Sequence, residues 1–163
     1  MTIDIEIRVR KAIPSDYGAL CDLFDELDEL HREHLPHIFQ KPPGPVRDRN
    51  YYMELIADES VGLFVAESST SMLGFAHAKV REAPDIPLFV PRRYAVLIDL
   101  VVRSGYQKRG IGSVIADKMQ AWAIAQGATS IELNVFEFNR NAISFYEGLG
   151  YQAVSRKMSK DLE

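Results

Sequence analysis

The spacing of apolar and polar residues changes period along the chain and predicts its secondary structure. Residues 3–10 alternate apolar and polar side chains, as in a half-buried strand. After Pro14, five apolar residues recur at helical spacing: Leu20, Leu23, Phe24, Leu27 and Leu30. This pattern predicts an amphipathic helix over residues 16–34, which Pro36 ends because it lacks an N–H donor. A second, shorter helix is expected over residues 47–58.

The rest of the chain predicts further strands and helices in alternation. In chain order these are strands over 62–67, 72–80 and 94–102, a helix over 113–126, a strand over 131–135, a short helix over 142–147 and a last strand over 151–158. The β-branched run 94–102 is typical of a strand buried on both faces. Proline-rich segments 40–45 and 83–91 are expected to be loops. The order predicts an α/β fold with a mixed, partly parallel central sheet flanked by helices.

Composition narrows the class of protein. The chain has 163 residues, of which 47% are hydrophobic and 26% charged, and this balance is that of a globular protein forming one domain over residues 1–163. The single cysteine, Cys21, cannot form an internal disulfide. A net charge of −4 argues against nucleic-acid binding. With no long apolar run and an acidic beginning of the chain, we expect a cytoplasmic protein that does not span a membrane.

One segment combines glycines with positive charge between a strand and a helix. Gly110 and Gly112 leave backbone N–H groups uncovered where the helix 113–126 is expected to begin, and Lys108 and Arg109 precede them. The amino end of a helix attracts anions, so this turn suits a pyrophosphate. A tight turn that uses glycine only to bend the chain is the alternative. The segment is neither a P-loop nor a dinucleotide fingerprint, because the lysine precedes the glycines and a third glycine is missing.

A second segment follows the next strand. Asn139, Ala142 and Tyr146 are spaced by three and four residues, which places them on one face of a helix beginning near Asn139. That face offers an amide, a small gap and a phenol, along which the tail of a cofactor can lie. Packing of Tyr146 in the core, with its hydroxyl at the surface, is the alternative.

Together the two segments resemble the GCN5-related N-acetyltransferase (GNAT) superfamily. Gln107-x-x-Gly110-x-Gly112 is similar to its acetyl-CoA pyrophosphate signature, and Asn139-x-x-Ala142-x-x-x-Tyr146 followed by Leu-Gly-Tyr is similar to its second cofactor motif. The resemblance is strong over about residues 95–158 and concerns only the order of elements before that.

The resemblance implies an acetyl-CoA-dependent N-acetyltransferase in which an amine attacks the thioester directly. The cofactor-binding residues that it implies are Leu100, Val101, Val102, Gln107, Lys108, Arg109, Gly110, Ile111, Gly112, Asn139 and Ala142. It gives Tyr146 the role of proton donor to the departing thiolate. The developing oxyanion is expected at a backbone N–H of Val101 or Val102.

A reacting amine must lose a proton, and Asp99 is the expected general base. A carboxylate inside an apolar run is costly to bury unless it is paired, which favours a functional role for Asp99. That Asp99 only holds a backbone group or an arginine in place is an equal alternative. His77 and Glu137 are the rival bases.

Three histidines, His31, His34 and His37, invite a zinc site, but Pro36 separates the third from the helix and no cysteine lies nearby. We expect no metal, and interpret His31 and His34 as pocket or capping residues. The acids of residues 22–33 form a solvated helix face that can also steer a cationic amine.

The acetyl acceptor is left open by the sequence. A small-molecule amine is slightly favoured, with a protein or peptide amine and a non-catalytic acyl-CoA-binding regulatory module as alternatives. Only residues 151–163 remain after the second motif, where many relatives have two strands. The last strand therefore pairs within the chain or with a partner copy, which makes a homodimer a further expectation.

Overall fold

The computed structural model describes residues 5–162 and contains one five-stranded sheet. Its strands are β1 Arg8–Lys11, β2 Val61–Glu67, β3 Met72–Glu82, β4 Arg93–Val102 and β5 Ile131–Leu133. They lie side by side in chain order, β1-β2-β3-β4-β5, with antiparallel neighbours up to β4 and a parallel β4–β5 pair. The predicted mixed sheet is confirmed.

Four α-helices flank the sheet: α1 Tyr17–His34, α2 Arg49–Ala57, α3 Ile111–Ala125 and α4 Arg140–Gly148. On one face, α1 and α2 bury an apolar cluster in which Phe24 packs on Phe75 with ring centroids 4.5 Å apart. On the other face, α3 buries Ile115, Met119 and Trp122 against β2, β3 and β4. The two layers of helices leave the carboxyl ends of β4 and β5 between them.

The parallel pair separates before β4 ends. Pairing runs from Ala95 opposite Ile131 to Leu97 opposite Leu133, whereas β4 continues to Val102. Beyond Leu97 the two strands therefore enclose an open gap, here called the wedge. Because no strand of the described chain pairs with this part of β4 on the β5 side, its backbone polar groups there are available to a ligand.

A β-bulge in β4 lies at the start of the wedge. Leu97 pairs with Ala78 and Asp99 pairs with His77, so Ile98 is the inserted residue, and its side chain is 44% exposed. An inserted residue reverses the alternation of side chains. Leu97 consequently faces α3, whereas Asp99 lies on the α1 side together with Val101. The bulge is what points Asp99 away from the α3 core.

An ion network ties the first strand to the beginning of α1. The Arg10 guanidinium donates to both carboxylate oxygens of Asp16, at 2.7 and 3.0 Å, and to both of Glu67, at 2.9 Å. Burial opposes ionisation of Asp16, but hydrogen bonds from Arg10 and from the Ile13 N–H outweigh it and hold the pKa of Asp16 below its ordinary value. The network fixes the edge of the sheet and the start of α1 together.

Three predictions about strands need correction. Residues 151–158 form no strand, because the segment has no hydrogen-bonding partner strand among the described residues. The first strand begins only at Arg8, while residues 3 and 4 of its predicted range lie outside the described part of the chain. Strand β4 is not buried on both faces throughout, since the bulge exposes Ile98. None of the described helices is both long enough and apolar enough to cross a membrane.

Candidate active site

The backbone of β4 turns two of its N–H groups into the wedge. The Arg103 N–H donates to Leu73 O on β3 at 2.7 Å, so by the alternation of a strand the N–H of Val101 also faces β3. The N–H groups of Leu100 and Val102 then face the wedge. Of the two amides predicted to hold an oxyanion, the Val102 N–H fits and the Val101 N–H does not.

The turn after β4 presents a row of free amides. Among the described residues, the N–H groups of residues 107–113 have no hydrogen-bond acceptor, and α3 begins at Ile111 within this row. Gly110 has φ +84°, a conformation that favours glycine, and Lys108 adopts φ 60° although it carries a side chain. The strained turn, two cationic side chains and a helix amino end are the features that suit an anion, as the sequence predicts for this segment, here called the anion turn.

Three elements meet at Gly112. A Cβ placed there would lie 3.2 Å from the Phe145 ring of α4 and 3.6 Å from the Val102 side chain of β4. The lack of a side chain at this position therefore lets α3 approach both α4 and β4. The Gln107 side chain adds a further link, since its Nε2 donates to Val102 O at 3.2 Å. The predicted anion turn and the predicted pantetheine strand are adjacent in space.

Tyr146 lies on α4 and packs partly against the α3-side core. Burial, with smaller contributions from the nearby Tyr151 phenol and Asp99 carboxylate, raises the pKa of Tyr146 to about 12. The phenol hydroxyl has no hydrogen-bond partner among residues 5–162. The neutral Tyr146 hydroxyl therefore lies near Asp99 and is free to donate a hydrogen bond to a ligand.

Asn139 begins α4 as its N-cap. Its side-chain oxygen accepts a hydrogen bond from the Ala142 N–H at 3.2 Å, which stabilises the first turn of the helix. The amide nitrogen of Asn139 is the part of the side chain that this cap leaves for a ligand. The spacing of Asn139 and Ala142 thus has a structural explanation in addition to the predicted binding role.

The structure separates the three candidate bases. The His77 Nδ1 lies 3.3 Å from Asp99 Oδ2, and His77 is only 4% exposed. Its Nε2 is buried without a partner among the described residues, so the ring proton belongs on Nδ1, where it can be donated to the carboxylate. Glu137 lies outside this pair: its side chain is 75% exposed and faces Arg140.

Five rings form an aromatic cluster between the end of α1 and the loop after β5: His31, His34, Phe39, Phe136 and Phe138. His34 stacks on Phe138 with ring centroids 4.3 Å apart. His31 contacts the rings of all three phenylalanines edge-on. Because α1 packs on β3 and β4 while this loop continues from β5, the aromatic cluster links the end of α1 to the loop after β5. The motif Phe136-x-Phe138 directly after a strand was the signal that could have found it.

The same histidines also end α1. The Nδ1–H of His31 donates to Leu27 O at 2.8 Å and that of His34 donates to Leu30 O at 2.9 Å, in the last turns of the helix. His37 lies in the exposed segment that follows. The described residues contain no group of three side chains able to hold a metal ion.

A groove runs between α1 and the proline loop that precedes α2. It has a volume of about 460 Å³ and is lined by Asp25, Asp28 and Glu29 of α1 and by residues 41–47 of the loop. Arg47 donates to Asp28 at 2.8 Å and its guanidinium lies 4.1 Å from the Phe24 ring centroid, which fixes the loop on the helix. The acids of α1 are therefore partly neutralised by cations on this side.

Several known proteins are similar to this chain. Over 146 residues, or 90% of each chain, it is 27% identical to the uncharacterised N-acetyltransferase YhfO of Bacillus subtilis. It is 30% identical over 69 residues to the L-ornithine N5-acetyltransferase NATA1 of Arabidopsis thaliana, a match covering 42% of this chain and 30% of that protein. It is 35% identical over 63 residues to the thialysine N-epsilon-acetyltransferase of Bos taurus, covering 39% and 37%. The chain thus spans well under half the length of these last two relatives.

Solved structures share the fold. A mutant of the BH1408 protein from Bacillus halodurans superposes with a TM-score of 0.90 at 23% identity, covering 96% of this chain and 99% of that one. The aminoglycoside N-acetyltransferase AAC(6')-Iy, in complex with CoA, superposes with a TM-score of 0.75 at 14% identity, covering 99% and 98%. The acetyltransferase (GNAT) family model matches residues 24–151. This match spans more than half of the chain, including the wedge, the anion turn and Tyr146, and the chain belongs to the GNAT acetyltransferase family.

Proposed function

We propose that this protein transfers the acetyl group of acetyl-CoA to a primary amine of a small molecule. The observation that carries the proposal is the wedge: a strand edge with free N–H groups, a row of free amides at one end, and the Asp99–His77 pair on one face. An N-acetyltransferase needs these three parts in contact, because it must hold an anionic cofactor, polarise its thioester and accept a proton from the amine.

Different residues of the chain bind different parts of acetyl-CoA. The amides of residues 107–112, with Lys108 and Arg109, bind the pyrophosphate. The wedge-facing backbone groups of Leu100 and Val102 on β4 pair with the amide groups of pantetheine, as a neighbouring strand would. The Asn139 amide nitrogen and the small Ala142 side chain border the same arm. Acetyl-CoA supplies the activated acyl group and requires no metal.

Asp99 accepts the proton that the amine must lose. The amine nitrogen bonds to the thioester carbonyl carbon, the carbon–sulfur bond breaks, and the proton from nitrogen passes to Asp99 directly or through water. The Nδ1–H of His77 steadies the Asp99 carboxylate as that proton arrives. One of the wedge-facing N–H groups of β4 stabilises the carbonyl oxygen as it gains charge.

Tyr146 acts on the leaving sulfur. Because its pKa lies near 12, the phenol is neutral at physiological pH and donates a hydrogen bond to the thiolate. The pKa also argues that the proton stays mainly on the phenol oxygen, since a simple thiol, with a pKa of about 8.5, is the stronger acid. Tyr146 therefore stabilises the thiolate more than it neutralises it.

The acceptor class rests on two kinds of support. The curated relatives named for their reaction act on terminal amines of short amino acids, ornithine N5 and thialysine N-epsilon. In this chain, the aromatic cluster joins α1 to the loop that follows β5, and its ring faces suit an ammonium group. A small compound with a terminal amine and a second polar group is the substrate that fits. We also propose that the chain forms a homodimer.

Thiol release from acetyl-CoA tests the function. The enzyme is incubated with acetyl-CoA and a panel of short terminal amines, with lysine-containing and free N-terminal peptides as a separate arm, while calorimetry measures acetyl-CoA binding. Amine-dependent release with small amines supports the proposal. Release only with peptides would replace the acceptor class, and tight acetyl-CoA binding without release for any amine would favour a regulatory module.

A further inference from the structure

One side chain links the segment that follows β4 to helix α1. The Ser104 N–H donates to a carboxylate oxygen of Glu26 at 3.0 Å, although the two residues are 78 positions apart in the chain. Glu26 lies in the middle of α1 and is half-buried. Within residues 5–162, no other hydrogen bond joins residues 103–110 to α1. Glu26 is therefore the hydrogen-bonded link between this segment and the helix.

A β-turn over residues 103–106 leaves the Ser104 N–H free for this contact. The Tyr106 N–H donates to Arg103 O at 3.0 Å, and Gly105, the third residue of the β-turn, has φ +88°. A positive φ at the third residue is typical of a type II turn, in which the fourth residue donates the closing hydrogen bond. Ser104 is the second residue, so the acceptor for its N–H comes from outside the β-turn, and Glu26 supplies it.

The same β-turn leads directly into the row of free amides. Its last residue, Tyr106, packs partly against the α3-side core, and the Arg109 guanidinium lies 5.4 Å from the centroid of the Tyr106 ring. The N–H groups of residues 107–113 follow, without an acceptor in the described chain. The β-turn is thus fixed by the core through Tyr106 and by α1 through Glu26. A shift at Ser104 would move the segment that orients these amides.

The charge of Glu26 opposes the binding of an anion close to this segment. Among the described residues, no lysine, arginine or histidine forms an ion pair with Glu26. Its carboxylate therefore repels phosphate groups held by the amides of residues 107–112. A contribution of Glu26 to cofactor binding must come from its hydrogen bond and not from its charge, and substitution can separate the two.

We propose that Glu26 is a positioning residue for cofactor binding: its carboxylate holds the β-turn over 103–106 against α1, so that the amides of residues 107–113 are oriented before acetyl-CoA arrives. A site that is already oriented loses less conformational freedom on binding, which tightens the complex. Glu26 acts through the β-turn and takes no part in the chemistry. This role rests on the proposed function because acetyl-CoA is the ligand, whereas the hydrogen bond itself can be tested in the ligand-free protein.

Calorimetry of acetyl-CoA binding to two variants separates the hydrogen bond from the charge. Glu26→Ala removes both, and since alanine favours a helix it should preserve α1, which thermal unfolding checks. We expect its Kd for acetyl-CoA to rise about 10-fold. Glu26→Gln keeps an oxygen for the Ser104 N–H, so its Kd should equal that of the unchanged protein or be up to about 2-fold lower. The matched control, Asp117→Ala, removes an exposed acid from α3 and should change the Kd by less than about 2-fold.

Removal of the donor tests whether Glu26 acts through Ser104. Ser104→Pro has no N–H at this position, and proline suits the second residue of a type II turn. In the Ser104→Pro background, Glu26→Ala should not raise the Kd for acetyl-CoA, because the carboxylate has no hydrogen bond left to lose. In the ligand-free protein, amide exchange measured by nuclear magnetic resonance should be about 10-fold faster at Ser104 in Glu26→Ala than in Glu26→Gln.

Three results would overturn the role of Glu26. One is an unchanged Kd in Glu26→Ala, and another is an equal rise in Glu26→Ala and Glu26→Gln. The third is a rise of the same size when Glu26→Ala is made in the Ser104→Pro background; if that background does not fold, the comparison of alanine with glutamine decides. If the unchanged protein binds no acetyl-CoA, the proposed function fails, and amide exchange at Ser104 still shows whether Glu26 holds the β-turn.

Discussion

Replacement of Tyr146 by phenylalanine removes one oxygen from the proposed site and little else. The ring of Tyr146 packs against the core and lies 5.5 Å from that of Tyr151, contacts that phenylalanine keeps. The hydroxyl has no hydrogen-bond partner among the described residues, so its loss leaves no protein donor or acceptor unpaired. The variant therefore isolates what the phenol does for the leaving sulfur.

The pKa of Tyr146 sets the size of the effect. A phenol with a pKa of about 12 would have to give its proton to a thiolate whose acid has a pKa of about 8.5, which is uphill by roughly 5 kcal/mol. Full proton transfer is disfavoured, and a hydrogen bond to the charged sulfur remains. Such a bond contributes about 1.5–3 kcal/mol, which corresponds to a rate decrease of roughly 10- to 100-fold.

Initial-rate measurements of thiol release, varied in both substrates, check this expectation. We expect Tyr146→Phe to lower kcat and leave the Kd for acetyl-CoA, measured by calorimetry, unchanged. Tyr151→Phe is the matched control, because it removes a neighbouring buried phenol and should preserve kcat. An unchanged kcat in Tyr146→Phe would refute the role at sulfur, and a loss beyond about 10⁴-fold would show that the proton itself is transferred.

Three further variants test other parts of the account. Asp99→Asn keeps an acceptor for the His77 Nδ1–H but removes the base. We expect kcat/KM to fall by about 10²- to 10⁴-fold without loss of thermal stability. An unchanged kcat/KM would show that Asp99 has no part in catalysis. Arg109→Glu places an acid at the anion turn and should weaken acetyl-CoA binding about 10-fold in calorimetry, whereas Lys118→Glu on the exposed side of α3 should not. Asp16→Asn should cost about 2–3 kcal/mol of unfolding free energy in urea at pH 7. Since the folded-state pKa of Asp16 is lowered, the stabilisation by Asp16 is present above the ordinary aspartate pKa of about 3.9 and is lost as the pH falls below it. A difference in unfolding free energy between the variant and the unchanged protein that stays constant down to pH 3 would contradict the ion-network explanation.

The turn over residues 107–112 and the helix that begins near Asn139 could be predicted from the sequence because both depend on local pattern. Glycine at 110 and 112 and the spacing of Asn139, Ala142 and Tyr146 act within a few residues, and their elements formed where the pattern placed them. The helix over 16–34 was likewise predicted nearly to the residue, since its apolar stripe and Pro36 are both read along the chain.

The pairing of Asp99 with His77 could not be predicted from local pattern. It depends on the register of β3 against β4 and on the bulge at Ile98, which reverses the alternation just before Asp99. Without the bulge, simple alternation would have pointed Asp99 at α3. Both residues were predicted as alternative general bases, whereas in the structure their side chains lie within hydrogen-bond distance of each other.

The aromatic cluster and the segment after α4 show the same limit. Phe39 and Phe136 are almost a hundred residues apart, and only the packed helices and sheet bring them within 5.8 Å. The segment 151–158 has strand-like composition but no partner strand within residues 5–162, and a strand is stabilised by its neighbours more than by its own residues. Long-range pairing decides both cases.

The most direct test of the central claim follows the acetyl group itself. The enzyme is mixed with acetyl-CoA labelled with carbon-13 in the acetyl group and with a small terminal amine that supports thiol release, and both product and intact protein are examined by mass spectrometry. The account predicts one labelled acetyl group on the amine and none on the protein at any time, because the amine attacks the thioester directly and Cys21 takes no part. A labelled acetyl-enzyme that forms before the product, or label that never reaches the amine, would contradict it.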